Sequence, residues 1–385
     1  MLSRAIWKTQ KLLLPPFVFP VNEIAVDGVR SLHFEGPPFR GKPTRVFAFY
    51  GVPKEAAAGK VPAMVLVHGG GGSAFADWVK LWNSRGYAAI AFDHGGHLPV
   101  KENGEWKVNP DGGPPMGECD QMDEPISDQW MYHAVADTLL AHSLLLSFPE
   151  VDPERTGITG ISWGAVVTSI AVALDSRFKF AAPVYGCGFI SEDFGDGTLF
   201  VGRSAPPETV ARWRELWDPA QWLPRVEIPL LWVNGTNDFA FTPRAWRLSH
   251  RLPRGPRTLS LQVEMPHGHD GPGESPEEIR AFADSLCKNG APLAVVLRHG
   301  TEGCRAWAEF QSPALMRGAD LNYTGDGGPW QERKWHIVPA TIESGRASAP
   351  VPDGATAWFF NLIDKRGLVV SSEHESVQDS ARPAG

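Results

Sequence analysis

Cysteine is scarce: Cys119, Cys187, Cys287 and Cys304 are the four among 385 residues. They lie far apart with no CxxC pair, so neither a zinc knuckle nor a disulfide scaffold is expected, and buried free thiols are the expected state. No uncharged apolar run reaches the ~18 residues that a membrane-spanning helix needs, so no membrane partner is expected. Positive charge is short as well, with 36 Lys and Arg against 44 Asp and Glu, a formal net charge of -8 and a pI near 5.9. Nucleic acid is recognised by clustered cations that displace phosphate counterions, so it is not an expected partner. Residues 1–20 hold only the Leu12-Leu13-Leu14 run, closed by Pro15-Pro16, with no small-residue cleavage pattern behind it. No signal peptide is read there, and a soluble protein is expected.

What the chain does have is the composition of a globular protein, 43% hydrophobic and 21% charged, and a length that calls for one large domain with an addition. Ala63 to Val67 and Tyr87 to Phe92 are short continuous apolar runs, as in strands covered on both faces of a parallel sheet. Between them, Phe75, Trp78, Val79 and Trp82 have helical spacing over Ala74 to Ser84, which gives a βαβ unit. A helix over Trp130 to Leu146, with Tyr132, Ala136, Leu139, Leu140, Ser143 and Leu144 on one side, and a strand over Arg155 to Ile161 give another. Strands follow over Phe180 to Tyr185, Pro229 to Asn234 and Leu259 to Met265, then a closing helix over Ser275 to Lys288.

The fold class is therefore α/β, a doubly wound, mostly parallel sheet. Residues 1–60 lead strands into it, and 61–290 form the main domain with insertions at 98–127 and 186–224. Both insertions read as walls of a cleft mouth. After Gly290, alternating segments at Leu293 to Leu297, Arg305 to Phe310, Lys334 to Pro339 and Ala357 to Ile363 predict a small β-sandwich-like accessory domain over 291–372. Residues 373–385 are polar and read as a frayed tail.

Gly160-Ile161-Ser162-Trp163-Gly164 stands between an apolar strand and the helix-like Ala165 to Leu174, the context a Gly-x-Ser-x-Gly nucleophile elbow requires. A sharp strand-to-helix turn strains the serine, the flanking glycines leave room for neighbouring chain, and the helix start favours a developing oxyanion. His68-Gly69-Gly70-Gly71-Gly72-Ser73 directly follows the first parallel strand. Its glycines let backbone N–H groups face a ligand, so Gly70 or Gly71, together with the N–H of Trp163, are the expected oxyanion hole.

A serine needs a base, and the base an orienting acid. Asp238 closes the turn Asn234-Gly235-Thr236-Asn237-Asp238 after a buried strand. Asn237 carries no charge, and Asp218 sits in the cap segment. His267 and His269 both follow the Leu259 to Met265 strand. Either could reach Ser162; His267 is preferred on loop layout, His269 remains the alternative, and the one not used is expected to be a neighbour or exposed. Asp93-His94-Gly95-Gly96-His97 and His267-Gly268-His269 offer metal-ligand types without the spacing of a zinc site. No metal and no cofactor are expected.

Taken together, His68 to Gly72, Trp130 to Leu146, Val151 to Arg155, Gly160 to Gly164, Val184 to Gly188, Asn234 to Asp238 and Met265 to His269 resemble the acetyl xylan esterase-like α/β-hydrolases, relatives of the dienelactone hydrolase and prolyl oligopeptidase-type enzymes. The resemblance spans roughly Val61 to Lys288. It implies hydrolysis of short acyl esters, often acetyl groups on plant polysaccharides, by a cofactor-free Ser-Asp-His mechanism. The partner it implies is a small-molecule or carbohydrate ester. Asp-His-Gly-Gly-His at Asp93 departs from the usual Asp-x-x-Gly-x-Gly, which bears on the substrate more than on the reaction. Trp163, Trp213, Trp217 and Trp222 are expected to crowd the acyl side and to offer stacking faces to a sugar, the plainer reading being that they pack the cap. A serine peptidase and a silent hydrolase-fold binding protein are the competing readings.

Overall fold

The computed structural model describes residues 6–7, 9–192, 197, 199, 201–269 and 271–377. A short helix, α1 (Thr9–Leu12), precedes three antiparallel strands, β1 (Val18–Pro20), β2 (Arg30–Phe39) and β3 (Lys42–Gly51). The main sheet continues with β4 (Val61–Val67), α2 (Ala76–Ser84) and β5 (Ala88–Phe92). A hairpin of β6 (His97–Glu102) and β7 (Glu105–Val108) comes next. There follow α3 (Trp130–Ser147), β8 (Val151–Ile161), α4 (Trp163–Leu174), β9 (Phe180–Val184), α5 (Pro207–Trp217), β10 (Leu230–Gly235), α6 (Pro243–His250), β11 (Arg257–Gln262) and α7 (Glu277–Cys287). The nine strands are ordered β1-β2-β3-β5-β4-β8-β9-β10-β11, and from β5 onward neighbours are parallel.

Every residue of β4, β5, β9 and β10 is buried, as continuous apolar runs demand of strands with helices on both faces. One expectation needs correction. The spacing predicts one buried side for α3, yet it is buried almost all round, because α1, α4 and β2 pack on it. Its polar residues consequently bond inward: Ser143 Oγ donates to the Leu12 carbonyl at 2.8 Å, and His142 meets the Asp175 carboxylate at 2.7 Å.

The C-terminal strands form an eight-stranded antiparallel sheet. They are β12 (Val295–Glu302), β13 (Arg305–Gln311), β14 (Met316–Thr324), β15 (His336–Glu343), β16 (Arg346–Pro350), β17 (Ala357–Asp364), β18 (Val369–Ser371) and β19 (Glu375–Ser376). The alternation expected of half-buried strands appears in β13 and β16, whose alanines and Phe310 meet Leu321 and Leu362 in a small separate core. Of the segments read as a frayed tail, 373–377 are held in place. The Glu373 carboxylate meets the guanidinium groups of Arg251 and Arg257, and β19 pairs with β17. Residues 378–385 lie outside the described residues. Of the cysteines, Cys187 and Cys287 are buried and Cys304 is exposed, which departs from the expectation of uniformly buried thiols.

Candidate active site

Ser162 links the end of β8 to the start of α4 with φ 58° and ψ -121°. A non-glycine residue holds such a backbone only where its surroundings enforce it. Here the Ser162 N–H donates to the Val184 carbonyl at 2.9 Å. A methyl group at Gly164 would lie 2.1 Å from the Val67 carbonyl oxygen, so only glycine lets α4 start this close to β4. Trp163 is the first helical residue, and its N–H has no intrahelical acceptor.

Asp238 follows β10 and is buried. One carboxylate oxygen accepts the N–H groups of Ala240 and Phe241, at 2.9 and 2.7 Å. The other meets His267 Nδ1 at 2.6 Å. That contact leaves Nε2 on the far side of the ring. Tyr185 stacks on the same imidazole with centroids 4.4 Å apart. The Tyr185 hydroxyl donates to the Pro266 carbonyl at 2.7 Å, and burial followed by the Asp238 charge raises its pKa. Tyr185 thus braces the histidine loop against β9, directly beside the elbow.

His269 has different partners. Its Nε2 accepts the Gly69 N–H at 3.0 Å, which assigns the proton to Nδ1, 2.9 Å from a Glu274 carboxylate oxygen. Phe75 and Trp78 flank the ring. An imidazole already accepting at Nε2 is not free there to take a serine proton, so the structure separates the two histidines by their partners.

The glycine loop is equally committed. Gly69 N–H goes to His269 and Gly72 N–H to the Gly69 carbonyl, at 3.0 and 3.1 Å. Gly70 and Gly71 N–H have no acceptor among the described residues. The β6–β7 hairpin closes over this loop: Trp106 Nε1 donates to the Gly71 carbonyl at 2.8 Å. Behind it, His68 and His94 stack with centroids 3.9 Å apart, and the Asp93 carboxylate lies 3.6 Å from His68 Nε2. Burial alone would raise the Asp93 pKa, but hydrogen bonding and charge from His68, and the His97 N–H, outweigh it and hold the carboxyl below its ordinary range. Burial, then His68, lowers the His94 pKa to about 3. Asp93 and His94 therefore form a buried support under the glycine loop.

The cap tryptophans do not line the cleft. Trp213, Trp217 and Trp222 are fully buried: Trp217 and Trp222 pack edge-on against Trp7, and Trp213 edge-on against Trp163. The plainer reading, packing of the cap, describes them, and no stacking face remains for a sugar. Asp218 is also structural, since its carboxylate accepts the N–H groups of Phe189, Ser191 and Ala220. Among the described residues no set of three or more His, Cys, Asp or Glu is placed to hold a metal ion, and no helix is long and apolar enough to cross a membrane.

The profile of the acetyl xylan esterase (AXE1) family matches residues 18–194, a span that carries the glycine loop and the elbow. Over that span the chain is similar to the acetyl xylan esterases, and its fold is that of an α/β-hydrolase. Two of the most similar solved structures are acetyl xylan esterases, one from Thermoanaerobacterium sp. JW/SL YS485 and one from Paenibacillus sp. R4. The first is 17% identical, with TM-score 0.53, covering 72% of this chain and 92% of that one. The second is 21% identical, with TM-score 0.55, covering 72% and 92%. A puromycin-hydrolyzing peptidase of Mycobacterium tuberculosis is 23% identical with TM-score 0.51, and its match covers 71% of this chain but 42% of that one. No curated protein matches the sequence. The α/β-hydrolase fold accommodates both esterases and peptidases, and the family match supports a hydrolytic esterase.

Sequence reasoning missed Glu274, Tyr185, Phe239 and Gln331. Glu274 lies five residues beyond His269 and could have been weighed as its partner. Gln331 reaches the acid turn from 93 residues away in sequence, and no local signal marks it.

Proposed function

We propose that the chain is a serine carboxylic ester hydrolase acting on short acyl esters, acetyl groups on carbohydrate among them. The observation that carries this reading is the Asp238–His267 contact, stacked on Tyr185, which is next in chain to the Val184 carbonyl that holds Ser162 in its strained turn. His267 Nε2 takes the Ser162 hydroxyl proton as Oγ attacks the ester carbonyl carbon, and the carbonyl electron pair moves onto oxygen. Trp163 N–H and that of Gly70 or Gly71 stabilise this oxyanion. Asp238 holds the imidazole tautomer and stabilises its cation. Collapse expels the alcohol, which leaves with the proton from His267, and water then releases the acid by the same steps in reverse roles.

Replacing Ser162 with Ala tests this directly. Hydrolysis of p-nitrophenyl acetate should fall by ~10³-fold or more and labelling by an active-site phosphonate should cease, while the circular dichroism spectrum is retained. Near-wild-type turnover in the variant would remove the reading. A p-nitrophenyl series from acetate to decanoate, with acetylated xylan alongside, fixes the acyl group: an optimum at eight carbons or beyond, with no acetate released, would replace the short-acyl assignment by a lipase-like one. The peptidase neighbour makes an aminoacyl p-nitroanilide the necessary control, and faster cleavage of that amide than of the esters would transfer the proposal to a peptidase.

A further inference from the structure

Resting on the esterase reading, we infer that His68 and His94 are positioning residues whose imidazoles lock the glycine loop so that the N–H of Gly70, and not that of Gly71, faces the oxyanion. Both histidines are buried, and the proposed mechanism gives neither a task. His94 belongs to the Asp93-His94-Gly95-Gly96-His97 turn, the segment that departs from the usual Asp-x-x-Gly-x-Gly.

Two successive peptide groups of the loop are held. The His68 carbonyl accepts from His94 Nε2 at 2.8 Å, and across the same peptide the Gly69 N–H donates to His269 Nε2 at 3.0 Å. The next carbonyl, that of Gly69, accepts from His68 Nδ1 at 2.7 Å and from the Gly72 N–H at 3.1 Å. Both peptides are trans, and in a trans peptide the N–H points opposite to the C=O. Holding the Gly69 carbonyl toward His68 and Gly72 therefore turns the Gly70 N–H the other way. The elbow lies against these glycines. A methyl group at Gly69 would lie 3.2 Å from Ser162 Cβ, and one at Gly70 would lie 2.7 Å from Trp163 Cδ1. The Gly70 N–H, set between the two Cα atoms, thus sits beside the step from Ser162 to Trp163, whose own N–H is the second donor. Gly71 is placed differently. A methyl group there would meet nothing within 4 Å, and its carbonyl is taken by Trp106 Nε1. The His68 and His94 rings stack with centroids 3.9 Å apart, so neither turns without displacing the other. Burial, then His68, holds the His94 pKa at about 3. Its ring is neutral at working pH, with the one proton on Nε2 where the His68 carbonyl needs it.

The test compares p-nitrophenyl acetate with p-nitrophenyl thionoacetate, in which C=S replaces C=O. Sulfur accepts hydrogen bonds less well than oxygen, so the oxo-to-thiono ratio of kcat/KM reads how well the oxyanion donors are aimed. The ratio is blind to the folded fraction of a variant and to the base, which serves both substrates alike. His68→Phe and His94→Phe keep stacked rings and delete the donors, and each should lower the ratio about tenfold or more. His68→Asn and His94→Gln return an amide N–H near those positions and should recover it to within about threefold; recovery in neither overturns the role given to the donors. A ratio within about twofold of wild type in either Phe variant removes that histidine from the assignment. After phosphonylation of Ser162, the Gly70 amide proton should move downfield in the NMR spectrum, and movement of the Gly71 proton instead overturns the choice of donor. Failure of the esterase reading looks different: wild type would hydrolyse no ester and take no phosphonate. Histidine nitrogen NMR of the free enzyme then decides, where protons on His68 Nδ1 and His94 Nε2 support the positioning and an unprotonated nitrogen at either place overturns it.

Discussion

Two imidazoles one residue apart differ in what they can do because of single hydrogen bonds. His267 faces a buried carboxylate that two backbone N–H groups already hold in place. His269 accepts the Gly69 N–H and is oriented by Glu274. His267→Ala should therefore cost ~10³-fold or more in kcat/KM, at the scale of losing a general base with its orienting acid. His269→Ala should cost less, on the order of 10- to 100-fold, through displacement of Gly70 and Gly71. Glu274→Gln should cost less still, because the amide still reaches Nδ1 as an acceptor. Steady-state kinetics on p-nitrophenyl acetate ranks the three, and a larger loss for H269A than for H267A would reverse the assignment. At Ser162, the strain and its enforcing contacts were legible in the glycine spacing. The choice between the histidines was not, since Gly69 meets His269 only across the fold.

The elements show the same division. β5, β9 and β10 are legible to within a residue and β4 to within two, because a buried strand needs an unbroken apolar run and tolerates little else. β14, β16, β18 and β19 went unread, being short or polar on one face, with burial set by partners distant in sequence. The turn before β15 matters most for function. Its Gln331 amide bonds the acid turn, and Asn237 bonds back. Gln331→Ala should lower kcat by about tenfold with little change in KM, since the acid turn loosens while the substrate contacts remain. Gln331→Glu, which keeps shape but replaces the donor with a carboxylate, should not rescue it. Equal loss in KM alone would place Gln331 in binding rather than in positioning.

At the scale of the whole molecule, buried histidines govern acid stability. Burial lowers the pKa of His94 to about 3 and of His133 to about 4, and also depresses His142, His250 and His374, the last two well below the ordinary 6.5. A depressed histidine contributes stability that is present above the unfolded value near 6.5 and lost as pH falls through the folded value, because only the unfolded chain binds the proton in between. Asp137 has the opposite sign. Burial, then the Asp93 charge, raises its pKa, so its contribution is present below about 3.8 and lost as pH rises. The histidines are more numerous, and the net expectation is a fall in Tm of about 5–10 °C between pH 7.5 and pH 5.0. Differential scanning calorimetry measures it, and a Tm that rises on acidification over this window would show that Asp137 and its like dominate.

The sequence by itself determined the α/β class, the elbow at Ser162, the glycine loop and the placement of an acid and two histidines after strands. Each of these is written in local sterics or in a run of apolar residues, and local rules suffice to read them. Only the tertiary structure decided that Asp238 meets His267 while Gly69 and Glu274 claim His269, that the cap tryptophans are core, and that a turn of the C-terminal sheet clasps the acid turn beside an exposed Phe239. Those outcomes depend on which surfaces meet when the sheets pack. The Gly69–His269 and Gln331–Asp238 bonds join segments about a hundred or more residues apart, and such contacts have no counterpart in spacing along the chain.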